Sequence, residues 1–195
     1  MALTLNFTIE DSDCACNQLT FTDTTGSTTN GWGDSGNKSR TDITEALILV
    51  NFPDGTEASL DITTELNVLA DGVAYTKTIN ITDFTGFSTT SLFPAGVYTF
   101  VFKCTDSVET IYTTTNTYFF WCYYKSCLNI LLQGYTESSC CGSCEEKTKN
   151  KIIRTSTLLE ALRKAAECKD LTRFNTIKAT LDTLCGTAAS NCGCG

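Results

Sequence analysis

The chain has 195 residues, of which 42% are apolar and only 18% charged, with a formal net charge of −8 and no histidine. That length holds one medium domain or two small ones, and the acidic balance argues against an electrostatic grip on DNA or RNA, which needs a basic surface to displace counterions from phosphate. The missing imidazole removes Ser-His-Asp and Cys-His nucleophiles, H-E-x-x-H metalloprotease centres and the H-x-E zinc deaminases.

The first residues, Met1 to Phe7, carry neither a basic segment nor an unbroken apolar one, so they do not read as a signal peptide. No apolar run approaches the ~20 residues that a membrane helix needs. The expectation is a protein made in a cytoplasm and bound to no membrane. Twelve cysteines in such a reducing compartment point first to metal or buried thiols and second to disulfides.

Leu3, Leu5, Phe7 and Ile9 alternate with Thr4, Asn6, Thr8 and Glu10, a period of two that predicts a half-buried strand. Leu19 and Phe21 mark a second strand, after Cys14 and Cys16. From Gly26 to Ser39 the chain turns to Gly, Asn, Ser and Thr around a lone Trp32, and a loop of that length is commonly functional or disordered. Trp32, between Gly31 and Gly33, reads in two ways. It is a binding anchor, a subunit contact before a sugar site, because an aromatic ring brings much apolar area at low entropy cost; or it is a plug folded over the end of the β-domain.

Further strands are expected at 46–52, 58–62, 74–81, 96–104, 109–115 and 118–124, with Pro53-Asp54-Gly55 as a turn. Within 96–104, Val97, Thr99, Val101 and Lys103 face one way and Tyr98, Phe100, Phe102 and Cys104 the other. Seven or eight short strands with turn signals every ~10 residues predict an antiparallel sandwich. The segment from Leu92 to Phe100, through Pro94, Gly96 and Tyr98, resembles the strand entry that carries the tyrosine corner of immunoglobulin-like domains. The cysteine that follows two residues after that tyrosine in antibody domains is not matched, since Cys104 stands six residues on.

After Tyr124 the period lengthens to that of a helix. Tyr124, Leu128, Leu131, Leu132 and Tyr135 paint one face of a short helix ending near Gly134. Ser143 and Glu146 form an S-x-x-E capping box. Ile152, Ser156, Leu159, Leu162 and Ala166 give the stripe of the next helix. Asp170 is an N-cap for the last, with Leu171, Phe174, Ile177, Leu181 and Leu184 on its apolar face and Gly186 at its C′ position. Two helices joined by so few residues pack antiparallel. The expected fold class is therefore α+β: an immunoglobulin-like antiparallel β-sandwich at residues 1–125, then a small Cys-rich helical hairpin domain at residues 126–195.

Nine of the 12 cysteines fall from Cys122 onward. Cys168 sits at the connection between the last two helices and Cys185 at the far end of the final one, ~21 Å away at 1.5 Å per residue, so these two cannot share a site. Cys185 is expected beside the early turns of the preceding helix, which lets Cys192 and Cys194 fold toward Cys140, Cys141 and Cys144. Cys141, Cys144, Cys192 and Cys194 are the candidate metal site: a C-x-x-C facing a C-x-C supplies four thiolates for structural zinc. Disulfides among the same residues and reduced packing thiols remain open alternatives. Cys122 and Cys127 are placed where the last strand hands over to the first helix.

No phosphate-cradling G-x-x-x-x-G-K-[ST], no G-x-G-x-x-G after a strand and no D-x-D-x-D-G loop occurs, and among 22 Asp and Glu no pair is singled out for acid and base work. The C-x-x-C lacks the βαβ setting of a thiol oxidoreductase. The expectation is no enzyme and no catalytic residue, with structural zinc the one candidate cofactor.

The order of features carries a resemblance. Thr-rich strands, a Gly-Trp-Gly loop, the turn Asn51-Phe52-Pro53-Asp54-Gly55-Thr56, the strand Tyr118-Phe119-Phe120-Trp121-Cys122-Tyr123 and a Cys-bearing helical arm ending Leu184-Cys185 together resemble small virion proteins of crAss-like tailed bacteriophages. That resemblance implies a ring-type structural protein of the neck or tail, located in the virion between portal and distal tail. Its partners would be copies of itself in a cyclic, often twelvefold, oligomer and other neck or tail proteins. The alternatives are a carbohydrate-binding or adhesin module using the Trp32 loop, and a metal-thiolate protein.

Overall fold

Alternation becomes strand wherever a turn lets the chain double back. The computed structural model of the protein describes residues 3–11, 18–26, 30–34, 38–85, 95–121, 123–137 and 142–186. Among these, β1 (Phe7–Asp11), β2 (Gln18–Asp23) and β5 (Tyr75–Asn80) form a sheet in the order β1-β2-β5. A second sheet joins β3 (Ile43–Asn51), β4 (Glu57–Asp61), β6 (Gly96–Asp106) and β7 (Ile111–Phe120) in the order β4-β3-β6-β7. Both sheets are antiparallel and helices follow them, so the fold is α+β.

Register decides which side chains share a face. Ile9 lies opposite Phe21, Leu19 opposite Ile79, and Ile48 opposite Phe102, so each pair points the same way. Phe102 of β6 meets Phe21 of β2 at 5.3 Å and Phe7 of β1 at 6.3 Å, both edge-on, which brings the two sheets together through their aromatic faces. Tyr98, Phe100, Phe102 and Cys104 are all fully buried, as the alternation of that segment requires. The β3–β4 turn closes on Pro53-Asp54-Gly55, with Gly55 at φ 86° and its N–H donating to the Phe52 carbonyl at 3.0 Å.

Three sequence expectations change. The strand expected from Leu3 begins at Phe7, because the Thr4 N–H donates to the Asn30 carbonyl of the long loop at 2.8 Å instead of pairing with a strand. The strands expected at 109–115 and 118–124 are one strand, β7, and the helix starts at Tyr123; the Thr-rich run Thr113 to Thr117, broken only by Asn116, contains no Gly or Pro to end the strand. A five-residue helix, α1 (Thr63–Asn67), had no periodic signal at that length. It is anchored by Asp61, which accepts from the Thr63 N–H at 2.8 Å, and by Thr63 Oγ1, which accepts from the Ala46 N–H at 2.8 Å.

The helices are α2 (Tyr123–Glu137), α3 (Gly142–Glu167) and α4 (Leu171–Gly186). At 1.5 Å per residue α3 is about 39 Å long, against about 23 and 24 Å for the other two. It packs against both of them, while α2 and α4 meet each other only slightly, so α3 is the spine of this part. Phe174, Ile177 and Leu181 are buried on α4 as expected, whereas Leu171 is 50% exposed. On α3 the buried stripe is Thr155, Leu159, Leu162 and Ala165, shifted from the expected Ser156 and Ala166.

The α3–α4 turn is a Schellman motif. The Asp170 N–H donates to the Ala165 carbonyl at 2.9 Å and the Lys169 N–H to the Ala166 carbonyl at 3.0 Å, with Lys169 at φ 52°. Asp170 then caps α4, its Oδ1 accepting from the Arg173 N–H at 3.0 Å, as its position in the sequence predicts.

Contacts divide the chain into two compact units, Met1–Phe93 with Val97–Tyr118, and Pro94–Gly96 with Phe119–Gly195. The division therefore falls within β7, ahead of the 125/126 boundary read from the sequence. Phe119 belongs with the helices because its ring packs edge-on against Phe174 at 5.2 Å.

Candidate functional site

Trp32 is the residue to start from. It is buried at 0% exposure, so the indole offers nothing to a neighbouring subunit or a sugar while the loop holds this conformation. The exposed-anchor expectation is corrected in favour of the plug. The reason is local bonding: the Trp32 N–H donates to the Gly26 carbonyl at 2.8 Å and the Gly33 N–H to the Lys38 carbonyl at 3.1 Å, folding the loop on itself. That turns the indole inward, where its Nε1 donates to Asp23 Oδ2 at 2.8 Å.

Asp23 ends β2 on the inward-facing row that Leu19 and Phe21 occupy. A carboxylate there must be fully bonded, because leaving it unpaired in an apolar interior is costly. Its Oδ2 also accepts from Arg40 Nη2 at 2.8 Å, and its Oδ1 accepts from the Thr25 N–H at 2.9 Å. Arg40, 1% exposed, lies with its guanidinium carbon 5.5 Å from the centre of the Trp32 ring and donates from Nη1 to the Ala70 carbonyl at 3.1 Å. The Arg40 Nε is the atom left without a partner.

Asp71 completes the arrangement by accepting from the Arg40 N–H at 2.9 Å. Gly33 passes so close to it, at φ 66°, that an added Cβ would stand 2.7 Å from Asp71 Oδ2. Asp106, also buried, ends β6 as Asp23 ends β2. Burial pushes its carboxyl up, but the Thr110 and Val108 N–H groups, the Tyr112 hydroxyl and Lys38 outweigh that and hold it below the ordinary carboxylate range.

This cluster ties a loop to two sheets, and its chemistry is spent on doing so. Cys104, the buried thiol nearby, is held protonated: burial, then the charge of Asp23, push its pKa well above the usual thiol range, with Arg40 opposing. A shallow depression of about 340 Å³ on the outer face of the β4-β3-β6 sheet is lined by Leu49, Ser59, Thr85 and Val101, and among the described residues of its wall Glu57 is the one ionisable group.

In the helical unit the structure joins Cys127 to Cys185 in a disulfide with the Cα atoms 5.8 Å apart. The pairing sets the end of α4 against the start of α2, a partner for Cys185 that the sequence reading does not name, while α4 also packs along α3. Cys168, at the α3–α4 turn, is exposed and free, apart from Cys185 as its position requires. Of the candidate zinc ligands, Cys141, Cys192 and Cys194 lie outside the described residues, and Cys144 falls in the first turn of α3. Among the described residues no three His, Cys, Asp or Glu side chains stand close enough to hold a metal ion.

Asp23 and Asp106 were missed by the sequence reading, yet each left a signal, an acid where the alternation calls for an apolar residue. Arg40, at the end of a polar loop, left none. Comparison with protein families, with curated proteins and with solved structures found no match to this chain.

Proposed function

We propose that the protein is a structural component of a tailed-phage virion, a ring-forming neck or tail protein between portal and distal tail with no enzymatic role. In this reading the first unit is an immunoglobulin-like sandwich. Lettering the seven strands A, B, C, C′, E, F and G turns the sheets β1-β2-β5 and β4-β3-β6-β7 into A-B-E and C′-C-F-G, an order proper to that architecture. Tyr98, near the start of β6, stands where the tyrosine corner would be. The second unit is the Cys-bearing helical arm.

The observation that carries the proposal is the closed Trp32–Asp23–Arg40 cluster. The residues richest in chemical potential are buried and bonded to one another, so they serve to hold a shape. A sandwich with a helical arm gives each copy two kinds of surface, one for its neighbour in a ring and one for the next layer, and an acidic protein suits a conduit through which DNA passes without sticking. Mass photometry and negative-stain imaging of the full-length protein test it. Closed rings, or binding to neck and tail proteins encoded beside it, are the expected result; a monomer at high concentration that binds none of them overturns it.

A further inference from the structure

We infer that the Cys127–Cys185 disulfide is a redox-operated lock on the joint between α2 and α4. Among the described residues the joint has two rungs, and at the first the Tyr124 hydroxyl also lies 3.5 Å from the Lys178 carbonyl. Tyr124 donates its hydroxyl to Asp182 Oδ1 at 2.5 Å, and three residues further along each helix Cys127 is bonded to Cys185. Asp182 is itself held by Lys178 Nζ at 2.8 Å. Beyond these rungs α2 and α4 meet only slightly, each resting mainly on α3. The covalent rung therefore adds to the hydrogen-bonded one in holding the two helices together, and to the packing of each on α3.

The two sulfurs are unequally reachable. Cys127 is buried at 7% exposure, and Cys185 is half-buried in the last turn of α4, where backbone carbonyls lack partners and helices fray. A small thiolate such as glutathione attacks Cys185 Sγ; the bond between the two cysteines breaks and Cys127 leaves as a thiolate. A second glutathione thiolate attacks the mixed disulfide at the glutathione sulfur, releasing Cys185 and forming glutathione disulfide, and the two cysteines take up the two protons. Oxidation by glutathione disulfide runs the same steps backwards.

The bridge spans 58 residues of sequence, so closing it removes much of the freedom of the opened chain. Disulfides of that kind contribute about 2–4 kcal/mol against unfolding of the segment they close, or roughly a thirty- to thousandfold change in its opening equilibrium. Opening is read locally, at the first turns of α2 and the last turns of α4.

The test is amide hydrogen exchange on the full-length protein, equilibrated in glutathione buffers of rising reduced-to-oxidised ratio, with thiol-blocking mass spectrometry following the Cys127–Cys185 pair. Exchange at 124–131 and 181–186 should rise by a factor of roughly thirty to a thousand as the pair is reduced, with β2, β3 and β6 unchanged. The C127S/C185S double variant should show the raised exchange in every buffer. Because other cysteines respond to the same buffers, that variant separates the cases: a redox-dependent rise that persists in it assigns the effect elsewhere and overturns the inference. So does equal protection in the wild-type protein with the pair closed and open, or a pair that never forms under oxidising conditions.

Discussion

Asp23 and Cys127 occupy comparable places in the two units, each where an element must be tied to another that it would otherwise barely hold. In the β-unit the tie is a buried carboxylate that gathers the Trp32 indole, the Arg40 guanidinium and the Thr25 amide. In the helical unit it is a covalent bond between helices with little shared surface. The difference follows from the core available. The β-unit encloses Phe21, Tyr98, Phe100 and Phe102 completely, so the surrounding apolar mass excludes water and makes an ion pair binding on geometry. Among the described residues the helical unit fully buries Phe120, Tyr124 and Phe174 beside short rows of Leu, Ile and Ala, a smaller core than that of the β-unit, and small cores are commonly stapled.

If that contrast is right, the largest loss comes from breaking the ionic tie on one side. Arg40→Ala should cost the β-unit about 3–5 kcal/mol in urea unfolding, since it strands the Asp23 charge in an apolar interior. The double change Asp23→Leu with Arg40→Met should cost much less than the two single changes added together. A loss near zero for Arg40→Ala would show that the cluster does not hold the loop.

Next comes the covalent tie. Cys127→Ser should lower the stability of the helical unit by about 2–4 kcal/mol while leaving the unfolding of the β-unit in place. Equal losses in both units would erase the contrast. Gly33→Ala is expected to be smaller, about 1–2 kcal/mol, because φ 66° is unfavourable for a side chain and the new methyl crowds Asp71. Its readout is the thermal midpoint together with Trp32 fluorescence, which should shift to the red as the indole meets water.

Lys169→Gly runs in the opposite direction. Lys169 holds φ 52° at the C′ position of α3, where glycine carries no steric penalty, so the change should stabilise the helical unit by about 0.5–1 kcal/mol. The smallest effect is electrostatic. Asp106 has a folded-state pKa below that of the unfolded chain, so its contribution is complete above the ordinary Asp value near ~4 and is lost as pH falls through that value and below it. The thermal midpoint of Asp106→Asn should be lower at neutral pH and should converge on the wild type in acid; parallel pH profiles would contradict this.

Much of the fold was legible from particular residues. Tyr98, Phe100, Phe102 and Cys104 announced the buried row of β6, and Asp170 announced the start of α4. The uninterrupted β7 was obscured because Thr-rich segments carry the same pattern on both faces, one exposed and one half-buried, and mimic a strand break. At the site, Asp23 and Asp106 interrupted their apolar rows in plain view, while Trp32 between glycines was equally compatible with a surface anchor and a plug.

Alone, the sequence determined the antiparallel strands, the helical periods, the turn at Pro53 to Gly55 and the absence of any imidazole chemistry. These depend on the local geometry of a strand or a helix, which a few neighbouring residues impose. The tertiary structure alone decided that Trp32 turns inward onto Asp23 and Arg40, and that Cys185 meets Cys127. Each of those pairings joins residues brought together by the folding of everything between them, 17 residues from Asp23 to Arg40 and 58 from Cys127 to Cys185, and no local period encodes a partner at that range.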